Sequence, residues 1–195
     1  MELPEVTVSV PDWVTEASEL ERPLEGARDR MRLVIRLSRL NVEHGTGGPF
    51  AAAVFESDSG RLVSAGVNRV IASNCSSFHA ELVALTLAQA RLGSYDLSRP
   101  DLPACELVSS TDPCVMCIGA VLWSGVERLV CGASGEDAVA VGFDEGPKPA
   151  DWPGELRRRG IEVVRGVLRE EAASVLRFYV ETGGEIYNAS PRPEP

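Results

Sequence analysis

Apolar positions in residues 27–43 recur at helical spacing. Met31, Val34, Ile35, Ser38 and Val42 form one stripe, and Leu33, Leu37 and Leu40 form another. Two such faces predict a well-buried helix, ended near His44 by the run HGTGGP at 44–49. The period then shortens to two. FAAAVFES (50–57) and RLVSAGVN (61–68) flank a turn at 58–60 and predict a β-hairpin. A helix over 78–92 ends at Gly93, CELVSS (105–110) reads as a short buried strand, and a helix over 114–124 stops at Gly125. VERLVCGA (126–133) is a fourth strand. Residues 134–160 read as a Gly- and Pro-rich loop with a short helix around 155–159, its arginines exposed. IEVVRGVL (161–168) is a fifth strand, and Ala172, Val175, Leu176, Tyr179 and Val180 mark a last amphipathic helix. This order predicts an α/β fold, a three-layer α/β/α sandwich with five strands and helices on both faces. Ligands bind such sheets at the carboxyl ends of their strands, which directs attention to the strand-to-helix junctions near 79 and 114.

At 195 residues the chain suits one domain with a real core. We divide it into an acidic N-terminal extension (1–26), a folded domain (27–187) and a flexible tail (188–195). The net charge of −10 disfavours a broad nucleic-acid surface, although much of it is local. Residues 1–25 carry seven acids against one base, which reads as a solvated arm. No stretch predicts a membrane span or a signal peptide. Five cysteines, an odd number at low density, favour a reducing cytoplasm.

Two of those cysteines lie in PCVMC. Cys114 and Cys117, at i and i+3, share one face of a helix's first turn. Such a pair holds a metal, forms a redox dithiol or packs in a core. Met116 between the two argues against the redox reading. FHAEL places His79 and Glu81 upstream, with His79 35 residues before Cys114. Alone, either motif is ambiguous. Together, H-x-E and P-C-x-x-C make the signature of zinc-dependent nucleobase deaminases. Imidazole and two thiolates are three ligands for a tetrahedral Zn²⁺, one ion per chain, and a fourth position open to water indicates catalysis. Two thiolates weaken zinc's pull on that water, so Glu81 is needed to remove the proton. His79 and Glu81 point apart in mid-helix and serve one pocket only if the helix begins near them, with Ser76 and Ser77 as candidate N-caps. Cys75, Cys105 and Cys131 read as core, and Trp123 as core.

These residues, with GGPFAAAV before them, resemble the cytidine deaminase-like superfamily over residues 27–182. The run CVMCIGAVLWSGVERLVCGA is similar to the branch of bacterial guanine deaminases and tRNA adenosine deaminases. That resemblance implies a mixed sheet with strands 4 and 5 parallel. GFDE (142–145) stands where guanine deaminases carry a similar run, implying that Glu145 holds the base and assists proton transfer. It also implies Asn68 on the base edge, Phe50 on the pocket wall and Tyr187 as an aromatic lid. Residue by residue, plain readings stand beside these: a strand end for Asn68, core for Phe50, solvated loop for Glu145. TDPC replaces the commoner Glu-Pro-Cys, and SSFHAE an Asp-Pro-x-x-His-Ala-Glu run, so the substrate can differ from guanine. The expected activity is deamination of guanine or a guanine-like base or nucleoside, as a homodimer with possible exchange of the C-terminal segment. The alternatives are another substrate (cytosine or cytidine, a triazine or pterin-like ring, a specialised-metabolite nucleoside, tRNA adenosine) or a zinc-bound domain that binds without turnover.

Overall fold

The computed structural model describes residues 3–18 and 22–189. Its elements are α1 (Asp12–Ser18), α2 (Gly26–Glu43), β1 (Ala51–Glu56), β2 (Leu62–Val67), α3 (Val70–Ser73), α4 (Ala80–Leu92), β3 (Cys105–Thr111), α5 (Val115–Ser124), β4 (Arg128–Ala133), α6 (Gly135–Ala140), α7 (Trp152–Arg157), β5 (Glu162–Val164) and α8 (Arg169–Glu181). The strands lie in the order β2-β1-β3-β4-β5. β1 runs antiparallel to both neighbours, and β3, β4 and β5 are mutually parallel, as the crossover helices require. The mixed sheet with strands 4 and 5 parallel is therefore present.

Alternation along the central strands separates two cores. Ala52, Val54, Leu107, Leu129 and Cys131 face α4, α5 and α7, meeting Ala84, Leu85, Ile118, Val121 and Leu156. Ala51, Ala53, Phe55, Val108 and Val130 face α2, meeting Met31, Val34 and Leu37. Helix α8 adds Ala172, Ala173, Leu176 and Tyr179 around Ala133, Ala138 and Phe143. The three layers follow. Gly66 lets β2 press onto α4, since a Cβ there would stand 2.5 Å from the Ala84 amide.

The acidic arm is not simply solvated. Its residues 12–18 form α1, and Val14, 1% exposed, joins the α2 core. Trp123 is not core: it is 85% exposed, because Cys117, Ile118, Val121 and Ser124 already take the buried face of α5. The fifth strand ends at Val164, earlier than the apolar run 161–168 implies. There Arg165 turns to Asp112 and Gly166 adopts φ +75°, carrying the chain off the sheet. Helix α6, unforeseen, starts with a capping box between Ser134 and Asp137. Among the described residues no helix is long and apolar enough to cross a membrane.

Candidate active site

Helices α4 and α5 both start at a cysteine or histidine of the motif. His79 is the N-cap of α4 (φ −67°, ψ 152°) and Cys114 the N-cap of α5 (φ −67°, ψ 172°). Ser76 and Ser77 therefore do not cap α4. Neither His79 nor Cys114 makes a side-chain cap bond, which leaves the imidazole and thiol for other partners. Cys117 follows on the first turn of α5. The positive ends of both helix dipoles point at this junction and favour thiolate there.

His79 Nδ1 lies 3.4 Å from Cys114 Sγ and 3.6 Å from Cys117 Sγ. One donor atom from each residue lies within 4.8 Å of the others. Zinc bonds of about 2.0 Å to nitrogen and about 2.3 Å to sulfur place tetrahedral N and S donors about 3.5 Å apart. The donor set and its spacing fit zinc. The Cys117 thiol's hydrogen bond holds Cys114 down to about 4, helped by His79 and opposed by burial. Cys117 rises well above a normal thiol, through that same bond and burial.

Glu81 is buried on the first turn of α4, 7% exposed. Burial pushes its carboxyl up to about 7, with the Cys114 thiolate adding to the rise and His79 opposing it. The Ser109 hydroxyl donates to Glu81 Oε1 at 3.4 Å, leaving Oε2 to other partners.

These groups line one cavity of about 280 Å³ with Phe50, Asn68, Phe143, Glu145 and Tyr187. Seven of the eight residues singled out in the sequence thus line the cavity, and the eighth, Cys117, sits behind the lining at 0% exposure. Phe50 meets Phe143 edge-on at 4.9 Å, and Phe143 meets Tyr187 at 5.2 Å, making an aromatic wall. Tyr187 packs so closely on Gly48 that a Cβ there would stand 2.5 Å from its hydroxyl. That hydroxyl is buried and has no partner among the described residues.

Glu145 is not a solvated loop residue. Its side chain is 10% exposed and paired with Lys148 Nζ at 2.8 Å, and its carbonyl accepts the Val115 amide at 3.0 Å. Burial raises its carboxyl and Lys148 opposes that rise. Lys148 also donates to the Pro113 carbonyl, tying the 142–146 loop to the turn before Cys114. The chain past 187 belongs to the same wall. Asn188 accepts from the Asp144 amide and donates to the Gly142 carbonyl, both at 2.9 Å. Residues 190–195 of the expected tail lie outside the described residues.

Asp112 borders the cavity but turns its carboxylate to Arg165 and to the Gly135 amide. Arg165 in turn lies over Trp152. The departure from Glu at this position is therefore built into the end of the sheet. Cys75 is not core either: it is partly exposed and meets the Ser77 hydroxyl at 3.2 Å, whereas Cys105 and Cys131 are buried. The residues that sequence reasoning missed are Phe143, Lys148 and Asn188. Phe143 was within reach, since it lies two residues before Glu145 in GFDE.

Residues 25–133 match the cytidine and deoxycytidylate deaminase zinc-binding region. The guanine deaminase of Bacillus subtilis is 34% identical over 129 residues, which cover 65% of this chain and 78% of that protein. A solved guanine deaminase from Nitrosomonas europaea is 51% identical, covering 90% of this chain and 96% of its own, with a TM-score of 0.86. A structure of NE0047 in complex with 2,6-diaminopurine is 52% identical over 93% of this chain and 96% of its own, with a TM-score of 0.88.

Proposed function

The chain belongs to the cytidine and deoxycytidylate deaminase family, hydrolases acting on C–N bonds of cyclic amidines, and on that premise we infer that it deaminates guanine or a guanine-like base. One observation carries the reading: a His-Cys-Cys metal triad and a buried glutamate share a small aromatic-walled cavity. The choice of guanine leans on the guanine deaminases that match the chain over most of both lengths.

His79, Cys114 and Cys117 would hold one zinc ion per chain, which supplies Lewis acidity toward the attacking water. Glu81 takes that water's proton on Oε2, while Ser109 holds Oε1. It passes that proton to the ring nitrogen beside the amino-bearing carbon, then carries the second proton, from the new C–OH group, to the departing amine, so guanine and water become xanthine and ammonia. Asn68 holds the base edge. Its Oδ1 accepts the Val70 amide at 3.3 Å, which leaves the amide NH₂ to donate to a purine acceptor. Phe50, Phe143 and Tyr187 stack around the ring and exclude water. Glu145, kept near the cavity by Lys148, binds the base's N–H groups and assists proton transfer.

Action in the cytoplasm accords with five free cysteines. Assembly as a homodimer is part of the same proposal, and Trp123 offers exposed apolar surface for a subunit contact. A concentration-independent monomer in sedimentation would remove that part.

Ammonia release across a panel of bases, nucleosides and a tRNA anticodon arm tests the function. Guanine should yield equimolar xanthine and ammonia. Release only from cytosine, another ring or tRNA would replace the substrate. Stoichiometric zinc without turnover on any substrate would replace catalysis with binding.

A further inference from the structure

Asn41, on the last turn of α2, is 0% exposed and uses its whole amide. Its Nδ2 donates to the Asn68 carbonyl at 2.9 Å and to the Gly48 carbonyl at 2.8 Å. Its Oδ1 accepts the Thr46 hydroxyl at 2.8 Å. The same side chain therefore ties Asn68, which directly follows β2, to the loop that bears Gly48 and Phe50. The approach is tight: a Cβ on Gly47 would stand 1.9 Å from the Asn68 carbonyl oxygen and 2.7 Å from Asn41 Nδ2. Around this knot the Asn68 amide donates to the Phe50 carbonyl at 2.9 Å, and Arg69 donates to the Thr46 carbonyl at 2.6 Å. With its carbonyl held by Asn41 and its Oδ1 by the Val70 amide, Asn68 has little freedom left.

We propose that Asn41 is a positioning residue for substrate recognition: by clamping the Asn68 and Gly48 carbonyls it sets the side chain of Asn68 against the base edge and the Gly48–Tyr187 contact across it. A buried amide that only stabilised the fold could sit anywhere along α2. This one is aimed at Asn68, which lines the cavity, and at Gly48, which packs on the lining residue Tyr187, without touching the cavity itself. The proposal rests on the reading of Asn68 as the base-binding residue.

The test compares Asn41→Ala with Ser64→Ala. Ser64 also makes a buried side-chain bond to a carbonyl, that of Ala84 at 2.7 Å, away from the rim. Both variants should melt at lower temperature. Only Asn41→Ala should raise the KM for guanine, by about tenfold or more, with kcat held within about threefold and zinc content unchanged. In an Asn68→Ala background the same substitution should change KM by clearly less than in the native chain, since the part of its effect that passes through that side chain is gone. Should Asn41→Ala fold poorly, Thr46→Val removes one of the clamp's bonds and shifts KM in the same direction by less. An unchanged KM, an equal rise in Ser64→Ala, or full additivity with Asn68→Ala overturns the proposal. If the native protein leaves guanine untouched, the functional reading is what fails. Amide exchange then decides the clamp without any ligand: segments 46–50 and 68–70 should lose protection in Asn41→Ala and keep it in Ser64→Ala.

Discussion

His79 is the N-cap of α4 and Glu81 lies two residues on, inside its first turn. The extended backbone at the cap (ψ 152°) breaks the opposition that this spacing has in mid-helix, so imidazole and carboxylate face one cavity. Glu81→Gln keeps the shape and removes the proton carrier. Turnover of guanine should fall on the order of 10³-fold or more, with zinc content unchanged. Near-normal turnover by a zinc-loaded variant would refute the assignment.

Zinc should follow the three donors. Cys114→Ala or Cys117→Ala leaves two ligands, and metal analysis should find zinc well below one ion per chain, with activity lost in parallel. Removing the ion from the native protein with a chelator should lower its melting temperature, because the ion binds the folded chain. An unchanged melting temperature would separate the triad from the metal.

Lys148 bridges Glu145 and the Pro113 carbonyl. Lys148→Met leaves Glu145 buried without its cation, and guanine kcat should drop by about tenfold. Lys148→Arg should recover most of it. Equal loss in both variants would show that the bridge matters only for folding.

Arg30 and Glu106 form an ion pair at 2.7 Å beneath α2, 4% and 0% exposed. Arg128 adds a second contact to Glu106 at 3.3 Å. Arg30→Leu leaves a buried carboxylate short of its principal partner and should cost about 3 kcal/mol in urea unfolding. A cost under about 1 kcal/mol would mean that Arg128 and water suffice for Glu106.

Asp137 links α6 to α8 through Arg169, which holds the Asp137 carboxyl down to about 2. The unfolded carboxyl titrates near 3.9, so this contribution is complete above roughly pH 4 and disappears as pH falls through about 2. Asp137→Asn should be less stable than the native protein by about 1 kcal/mol at pH 6, and the gap should close towards pH 2. A gap independent of pH would show that the Asp137 charge contributes nothing to the stability.

Much of the fold was legible because its signals are local. The stripes of 27–43 and 172–180 are periodic within one helix, and both became buried faces, except that Val180 at the end of α8 is 43% exposed. Trp123 shows where that reasoning fails: composition favours burial, but its position on the face of α5 opposite Val121 decides otherwise. α1 was obscured by acids that surround a single inward valine. α6 carried a readable Ser-x-x-Asp cap inside a segment that reads as loop. The end of β5 could not be read, since it depends on Arg165 reaching Asp112 on another strand.

Residue types and spacings within short motifs determined the three candidate metal donors, the glutamate beside them and the order of the five strands and the helices between them, α1, α3 and α6 apart. Those are properties of neighbouring residues, and backbone periodicity places neighbours. The cavity walls were decided by tertiary structure. Phe50, Phe143 and Tyr187 pack edge-on and tilted against one another, Asn188 fastens the Glu145 loop, and Asn41 clamps Asn68 only after the sheet has brought distant segments together. The chemistry of the reaction thus lies in local pattern. The shape that selects its substrate lies in packing between segments far apart in the chain, which no local spacing records.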